Sequence, residues 1–181
     1  DWLEAGGFDI VALQEVRAQD EDLLPLVPGW HVLHDPATAK GRAGVGILSR
    51  TPLADVEVGF GSFIDAGRWI AATTRDIRVA SLYLPSGDTD SPKLDEKYRF
   101  LDEFQEILAE NAARTNSDGS PADMVIGGDW NICHREQDLK NWKTNRRKSG
   151  FLPQERAWMD SVFGCWPDEV PQDSQVQASD K

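Results

Sequence analysis

The sequence predicts a mixed α/β layered domain, and three observations lead there. Short runs of Val, Ile, Leu and Ala recur along the chain, a long amphipathic helix interrupts them, and the apolar runs end abruptly in polar residues. Its 181 residues match the usual size of one domain.

The elements are expected in the following order. Phe8–Leu13, Gly29–His34, Val45–Ser49, Trp69–Thr74, Val79–Leu84 and Met124–Ile126 read as strands. Several are too uniformly apolar to be half-exposed, which places covering layers on both faces. Asp20–Leu26 is a short helical candidate. Lys97–Asn111 is an amphipathic helix, because Phe100, Leu101, Phe104, Ile107 and Leu108 recur at helical spacing with charges on the other face. A second helix follows Pro153, which suits a first helical position, with Trp158, Met159, Val162 and Phe163 on one side. Thr51-Pro52, Ser86-Gly87-Asp88 and the segment from Asn116 to Pro121 are breaks. Residues 1–165 are expected to form the central part of one domain, and 166–181 a loop or disordered tail.

Composition narrows the partners. A net charge of −12 excludes a protein that coats nucleic acid nonspecifically, because that binding depends on Lys and Arg displacing counterions. One local exception exists: Lys140, Lys143, Arg146, Arg147 and Lys148 fall together, with no acidic residue between Leu139 and Gln154. Cys133 and Cys165 are too few for a disulfide framework and belong to no paired metal pattern. No apolar run approaches the roughly 20 residues that span a bilayer, so the expectation is a soluble, cytoplasmic protein without membrane partners.

The chemistry is expected at three strand ends: LQE (13–15), YLPSG (83–87) and GGDWN (127–131). They bring hard oxygen donors, Glu15 and Asp129, together with the amide of Asn131 and the phenol of Tyr83. Such a set suits Mg²⁺, which takes few protein carboxylates plus water and phosphate oxygens, better than zinc. On a strand, residues two apart share a face, so Asp129 and Asn131 can serve one site while Trp130 faces away. Asp129 could orient or deprotonate a water, and Asn131 could hold that water or a phosphate oxygen.

In order along the chain, DIVALQE (9–15), GWHVLH (29–34), AGVGILSR (43–50), AGRWI (66–70), VASLYLPSG (79–87), GGDWNICH (127–134) and DLKNWKTNRRKSGFLPQER (138–156) form a set. That set resembles the exonuclease III type of abasic endonucleases, within the endonuclease/exonuclease/phosphatase superfamily. The resemblance implies a four-layer α/β sandwich of the deoxyribonuclease I type, with two packed mixed sheets flanked by helices. It also implies Mg²⁺- or Mn²⁺-dependent phosphodiester hydrolysis in double-stranded DNA carrying abasic sites or 3′ ends, by a monomer of the bacterial cytoplasm or nucleoid.

By motif, Glu15 resembles the metal ligand, joined by Asp129 and Asn131. Tyr83 resembles the tyrosine at the scissile phosphate, and Asp129 the carboxylate that activates water. Arg68, Ser86, Asn141, Lys143, Asn145, Arg146 and Arg147 fall on the substrate side. The family's initial strand ending in a metal-binding Asn and its terminal Asp-His pair have no counterpart here. The chain therefore resembles a fragment lacking both ends, with weak or no activity of its own. The competing readings are a relative acting on a non-DNA phosphoester, and an inactive DNA-binding module.

Overall fold

The computed structural model describes residues 2–36, 38 and 43–165; the tail expected at 166–181 lies outside them. Along the chain run α1 (Trp2–Ala5), β1 (Ile10–Gln14), α2 (Asp20–Leu23) with a 3₁₀ turn at Leu24–Leu26, β2 (His31–Asp35) and β3 (Val45–Ser49). There follow β4 (Ala54–Val58), β5 (Trp69–Thr74), β6 (Ile77–Tyr83), α3 (Pro92–Ala112), β7 (Met124–Asp129), α4 (Trp142–Asn145) and α5 (Pro153–Phe163). Among the described residues they fall into two compact units, one formed by those up to Pro85 with Lys97–Trp130, the other by Ser86–Glu96 with those from Asn131 to Cys165.

Both sheets belong to the first unit. One is three-stranded in the order β1-β3-β2, and the other four-stranded in the order β4-β5-β6-β7. The β6–β7 pairing is parallel and makes the four-stranded sheet mixed, while every pairing among the described strands of the three-stranded sheet is antiparallel. The facing sides meet in a core of Val45, Ile47, Ile70 and Val79, with Ile10, Leu33, Leu53, Ile77 and Tyr83 packed around it. Hydroxyls continue the contact, Thr51 and Thr74 lying 2.6 Å apart and both reaching Ser49.

The opposite side of the four-stranded sheet is covered by α3. Phe100 and Phe104 are fully buried, and Phe104 meets Trp69 edge-on at 5.0 Å and Phe60 at 5.6 Å. Burying each ring stabilises the fold by about 1.5–3 kcal/mol. The helix begins at Pro92, five residues before the expected start at Lys97. Ser91 accepts the Lys93 N–H at 3.3 Å and Pro92 takes the first position, so a polar first turn is held by capping rather than by burial.

Other departures have physical reasons. β4 was not expected, because it is an exposed edge strand with a bulge and lacks the apolar signature of a buried one. β5 and β6 join through Arg75 and Asp76, both at positive φ (48° and 66°), a two-residue turn of the kind that usually carries Asn-Gly. In the second unit, α5 starts at Pro153, as its sequence suggests. Glu155, fully buried, accepts the backbone N–H groups of Gly150 and Leu152 at 2.8 Å each.

Candidate active site

Glu15 follows the last residue of β1 and has a φ of 54°, a left-handed conformation that costs a non-glycine residue about 1–2 kcal/mol. Tyr83 ends β6, and its hydroxyl donates to Glu15 Oε1 at 2.8 Å. Arg17 donates to the other carboxylate oxygen, also at 2.8 Å. The Tyr83 hydrogen bond, then that of Arg17, lowers the Glu15 pKa, so the carboxylate is ionised at neutral pH.

Asp129 closes β7 and is the register partner of Tyr83 across the parallel β6–β7 ladder. Paired residues of neighbouring strands share a sheet face, so Asp129 stands beside Tyr83 on the side turned to the three-stranded sheet. Leu84 N–H donates to the Asp129 carbonyl at 2.9 Å and prolongs the ladder. Arg68, immediately before β5, donates to the Tyr83 carbonyl at 3.2 Å and lies with its guanidinium 5.1 Å from the phenol ring centre. Burial first, then the hydrogen bond and charge of Glu15, raises the Tyr83 pKa; Asp129 adds to the rise and Arg68 opposes it. At neutral pH the phenol is therefore a proton donor rather than a phenolate.

Two glycines let this corner close. A Cβ on Gly128 would lie 2.1 Å from the Leu82 carbonyl oxygen, and one on Gly44 would lie 2.0 Å from that of Val16. Gly127 is less constrained, since its added Cβ would meet the Ala12 Cβ at 3.4 Å.

The structure thus gathers Glu15, Arg68, Tyr83 and Asp129 in the first unit. The strand argument for Asn131 needs correction. β7 runs past Ile126 but stops at Asp129, and Asn131 has a φ of 47° beyond the strand, a conformation Asn tolerates better than most residues. The alternation holds for Asp129 and Trp130, whose indole turns to Phe104 at 6.2 Å, but it does not carry Asn131.

Asn131 and Ser86 belong to the second unit, as does the basic segment. Within that unit the Ser86 carbonyl accepts the Ser149 hydroxyl at 2.6 Å. The Asn141 carbonyl accepts the Asn145 amide at 2.9 Å. The cations of Lys143 and Arg146 lie 5.5 and 5.6 Å from the Trp142 ring centre, and Lys143, Arg146 and Arg147 are exposed. His134 bonds Asp160 at 2.8 Å and its carbonyl accepts the Arg156 Nε–H at 2.9 Å.

Three residues were missed by sequence reasoning. Arg17, Gln14 and Ser81 all bond within this corner. Ser81 was findable as the hydroxyl residue within the run Val79–Leu84, two residues before Tyr83.

The donors assembled here are oxygens only, with Glu15 held ionised, and they fit a hard divalent cation that completes its shell with water or phosphate. Among the described residues no group of three or more His, Cys, Asp or Glu is clustered for a metal.

The chain has relatives among known proteins. The sequence pattern of the endonuclease/exonuclease/phosphatase family matches residues 1–174. The chain belongs to this family. Among its relatives within the endonuclease/exonuclease/phosphatase family is the DNA repair nuclease APEX1 of Danio rerio, 30% identical over 94% of this chain and 58% of that protein. An exodeoxyribonuclease of Bacillus subtilis is 27% identical over 92% of this chain and 68% of its own length.

Solved structures share the fold. An AP endonuclease from Archaeoglobus fulgidus superposes with a TM-score of 0.74 at 25% identity, over 89% of this chain and 62% of that one. The 3′ phosphatase NExo from Neisseria, bound to a product DNA hairpin, gives 0.76 at 26% identity over the same shares. The chain thus spans about three fifths of the length of the zebrafish protein and of both solved chains. No helix among the described residues is long and apolar enough to cross a membrane.

Proposed function

We propose that the protein is a metal-dependent DNA phosphodiester hydrolase of base-excision repair, an abasic-site endonuclease with 3′-exonuclease or 3′-phosphodiesterase action. The observation that carries this reading is the 2.8 Å bond between Tyr83 and Glu15 with Asp129 in register beside it. The repair nucleases among its relatives support the same substrate class.

In this reading Glu15, with Asp129, would hold Mg²⁺ or Mn²⁺, which when bound would supply Lewis-acid polarisation of a phosphate oxygen and offset charge on the departing oxygen. Asp129 orients a water and accepts its proton as the water attacks phosphorus. Tyr83, protonated at neutral pH, turns its single hydroxyl hydrogen from Glu15 to a phosphate oxygen when substrate binds, and Arg68 holds the phenol in place by backbone bonding and cation–π contact. In the second unit, Asn131, Ser86, Asn141, Lys143, Asn145, Arg146 and Arg147 are proposed to contact DNA phosphates, positioning the duplex without reading sequence.

The test is incision of a duplex with one abasic-site analogue by the protein expressed full length, in Mg²⁺ and then in chelator. Incision that needs the metal, and that falls by about 100-fold or more in Asp129→Asn with the fold retained, is the expected result. Absence of metal-dependent incision by the wild-type protein defeats the proposal.

A further inference from the structure

Two polar side chains interrupt the apolar contact between the sheets next to the candidate site. Ser81 is fully buried in the middle of β6, between Val79 and Tyr83 on the inward face. Gln14 is the last residue of β1. The Gln14 amide donates to the Ser81 hydroxyl at 3.0 Å, and that hydroxyl donates to the Leu13 carbonyl at 2.8 Å. Because β1 and β6 lie in different sheets, both bonds join sheet to sheet. Each partner is satisfied by the other, so the arrangement does not carry the penalty of an orphaned buried polar group.

The residue after this tie is Glu15, held in its left-handed conformation. On its other side, Val16 N–H donates to the Gly44 carbonyl at 3.0 Å, and Gly44 N–H to the Gly67 carbonyl at 2.9 Å. The backbone around Glu15 is therefore fixed at both ends, at Leu13-Gln14 by Ser81 and at Val16 by Gly44. A left-handed non-glycine residue persists where its surroundings over-determine it, and these bonds are such surroundings. Ser81 and Tyr83 sit one strand repeat apart on one face, so β6 carries both the tie and the phenol that meets Glu15.

We propose that Ser81 and Gln14 are positioning residues, a clamp that fixes the Glu15 carboxylate against Tyr83 and thereby sets the divalent-cation affinity of the site. The second half rests on the metal-dependent reading above. Outer groups that orient a ligating side chain change metal affinity by about tenfold or more when removed.

The experiment compares Ser81→Ala, Gln14→Leu and the double variant with wild type, in the protein expressed full length. Backbone amide exchange without metal reads the clamp directly. Mn²⁺ binding followed by electron paramagnetic resonance, and the Mg²⁺ concentration for half-maximal incision, read its effect on the site. Each single variant should speed exchange at residues 13–16 while leaving β7 unchanged. Each should also raise the Mn²⁺ Kd and the Mg²⁺ half-saturation by roughly tenfold, with kcat at saturating metal retained. The double variant should be no worse than Ser81→Ala alone, since both side chains act through one chain of bonds.

Unchanged exchange at residues 13–16 in both single variants overturns the clamp. So does a loss of kcat at saturating metal with no shift in half-saturation. A wild-type protein that binds no Mn²⁺ overturns the metal reading and the second half of the proposal with it, while amide exchange still decides the clamp.

Discussion

Replacing Gly128 with alanine should unseat the end of β7, whereas the same change at Gly127 should be nearly silent. The added Cβ at Gly128 would stand 2.1 Å from the Leu82 carbonyl oxygen, about 0.9 Å short of the 3.0 Å below which such contacts essentially never occur. The obstacle is backbone, so no side-chain rotation relieves it, and the strands must part at this rung. The next rung carries Tyr83 and Asp129, where the 2.9 Å bond from Leu84 N–H to the Asp129 carbonyl would be stretched beyond useful length. Overpacking costs about 1–3 kcal/mol and the lost hydrogen bond about 1 kcal/mol, together about 2–4 kcal/mol. At Gly127 the new methyl meets the Ala12 Cβ at 3.4 Å, an ordinary contact, and the reduced freedom of the unfolded chain offsets it, leaving a change within about 1 kcal/mol. Urea unfolding of the three proteins measures this, with a lower midpoint at constant slope for Gly128→Ala. Metal-dependent incision should fall in that variant alone. Equal midpoints for Gly127→Ala and Gly128→Ala would refute the steric argument.

Three further outcomes are expected. Arg78, 4% exposed, bonds Asn111, the Asp55 carbonyl and carboxylate, and Glu57; Arg78→Met should lower stability by about 2–3 kcal/mol. That is below the range for a fully buried pair because Asp55 is 54% exposed, and thermal unfolding reads it. The Asp160 pKa is lowered chiefly by its hydrogen bond to His134, so the stability it contributes is complete above the ordinary aspartate value and lost as pH falls through the lower folded value. In His134→Phe that acid limb should move to higher pH, seen as earlier unfolding in an acid titration. Neutralising Lys143, Arg146 and Arg147 together should weaken DNA binding and reduce the slope of log affinity against log salt by about 2–3; an unchanged slope would remove the basic segment from the DNA interface.

Legibility in the sequence followed burial. β3 and β5 were expected at their observed bounds because nearly every residue in them is buried and their apolar residues run together. β4 escaped notice because its Val56 and Val58 remain exposed on an edge. The start of α3 was misplaced because capping, unlike burial, leaves no apolar period. At the candidate site, Glu15, Tyr83 and Asp129 were legible as polar residues ending apolar runs, and the Trp130 indole meets Phe104. Asn131 was assigned to a strand that stops two residues earlier, since the reach of a ladder depends on its neighbour, here β6, rather than on its own residues.

The sequence by itself determined the donor types, hard oxygens and one phenol, and the strand ends that carry them. It also determined that basic charge is concentrated in one segment of an acidic chain. Only the tertiary structure decided that Tyr83 and Glu15, 68 residues apart, meet at 2.8 Å, that Arg17 holds the second carboxylate oxygen, and that Ser81 ties the two sheets beside them. The physical reason is that periodicity reports which face of a strand is buried, while register and sheet-to-sheet packing decide what that face meets.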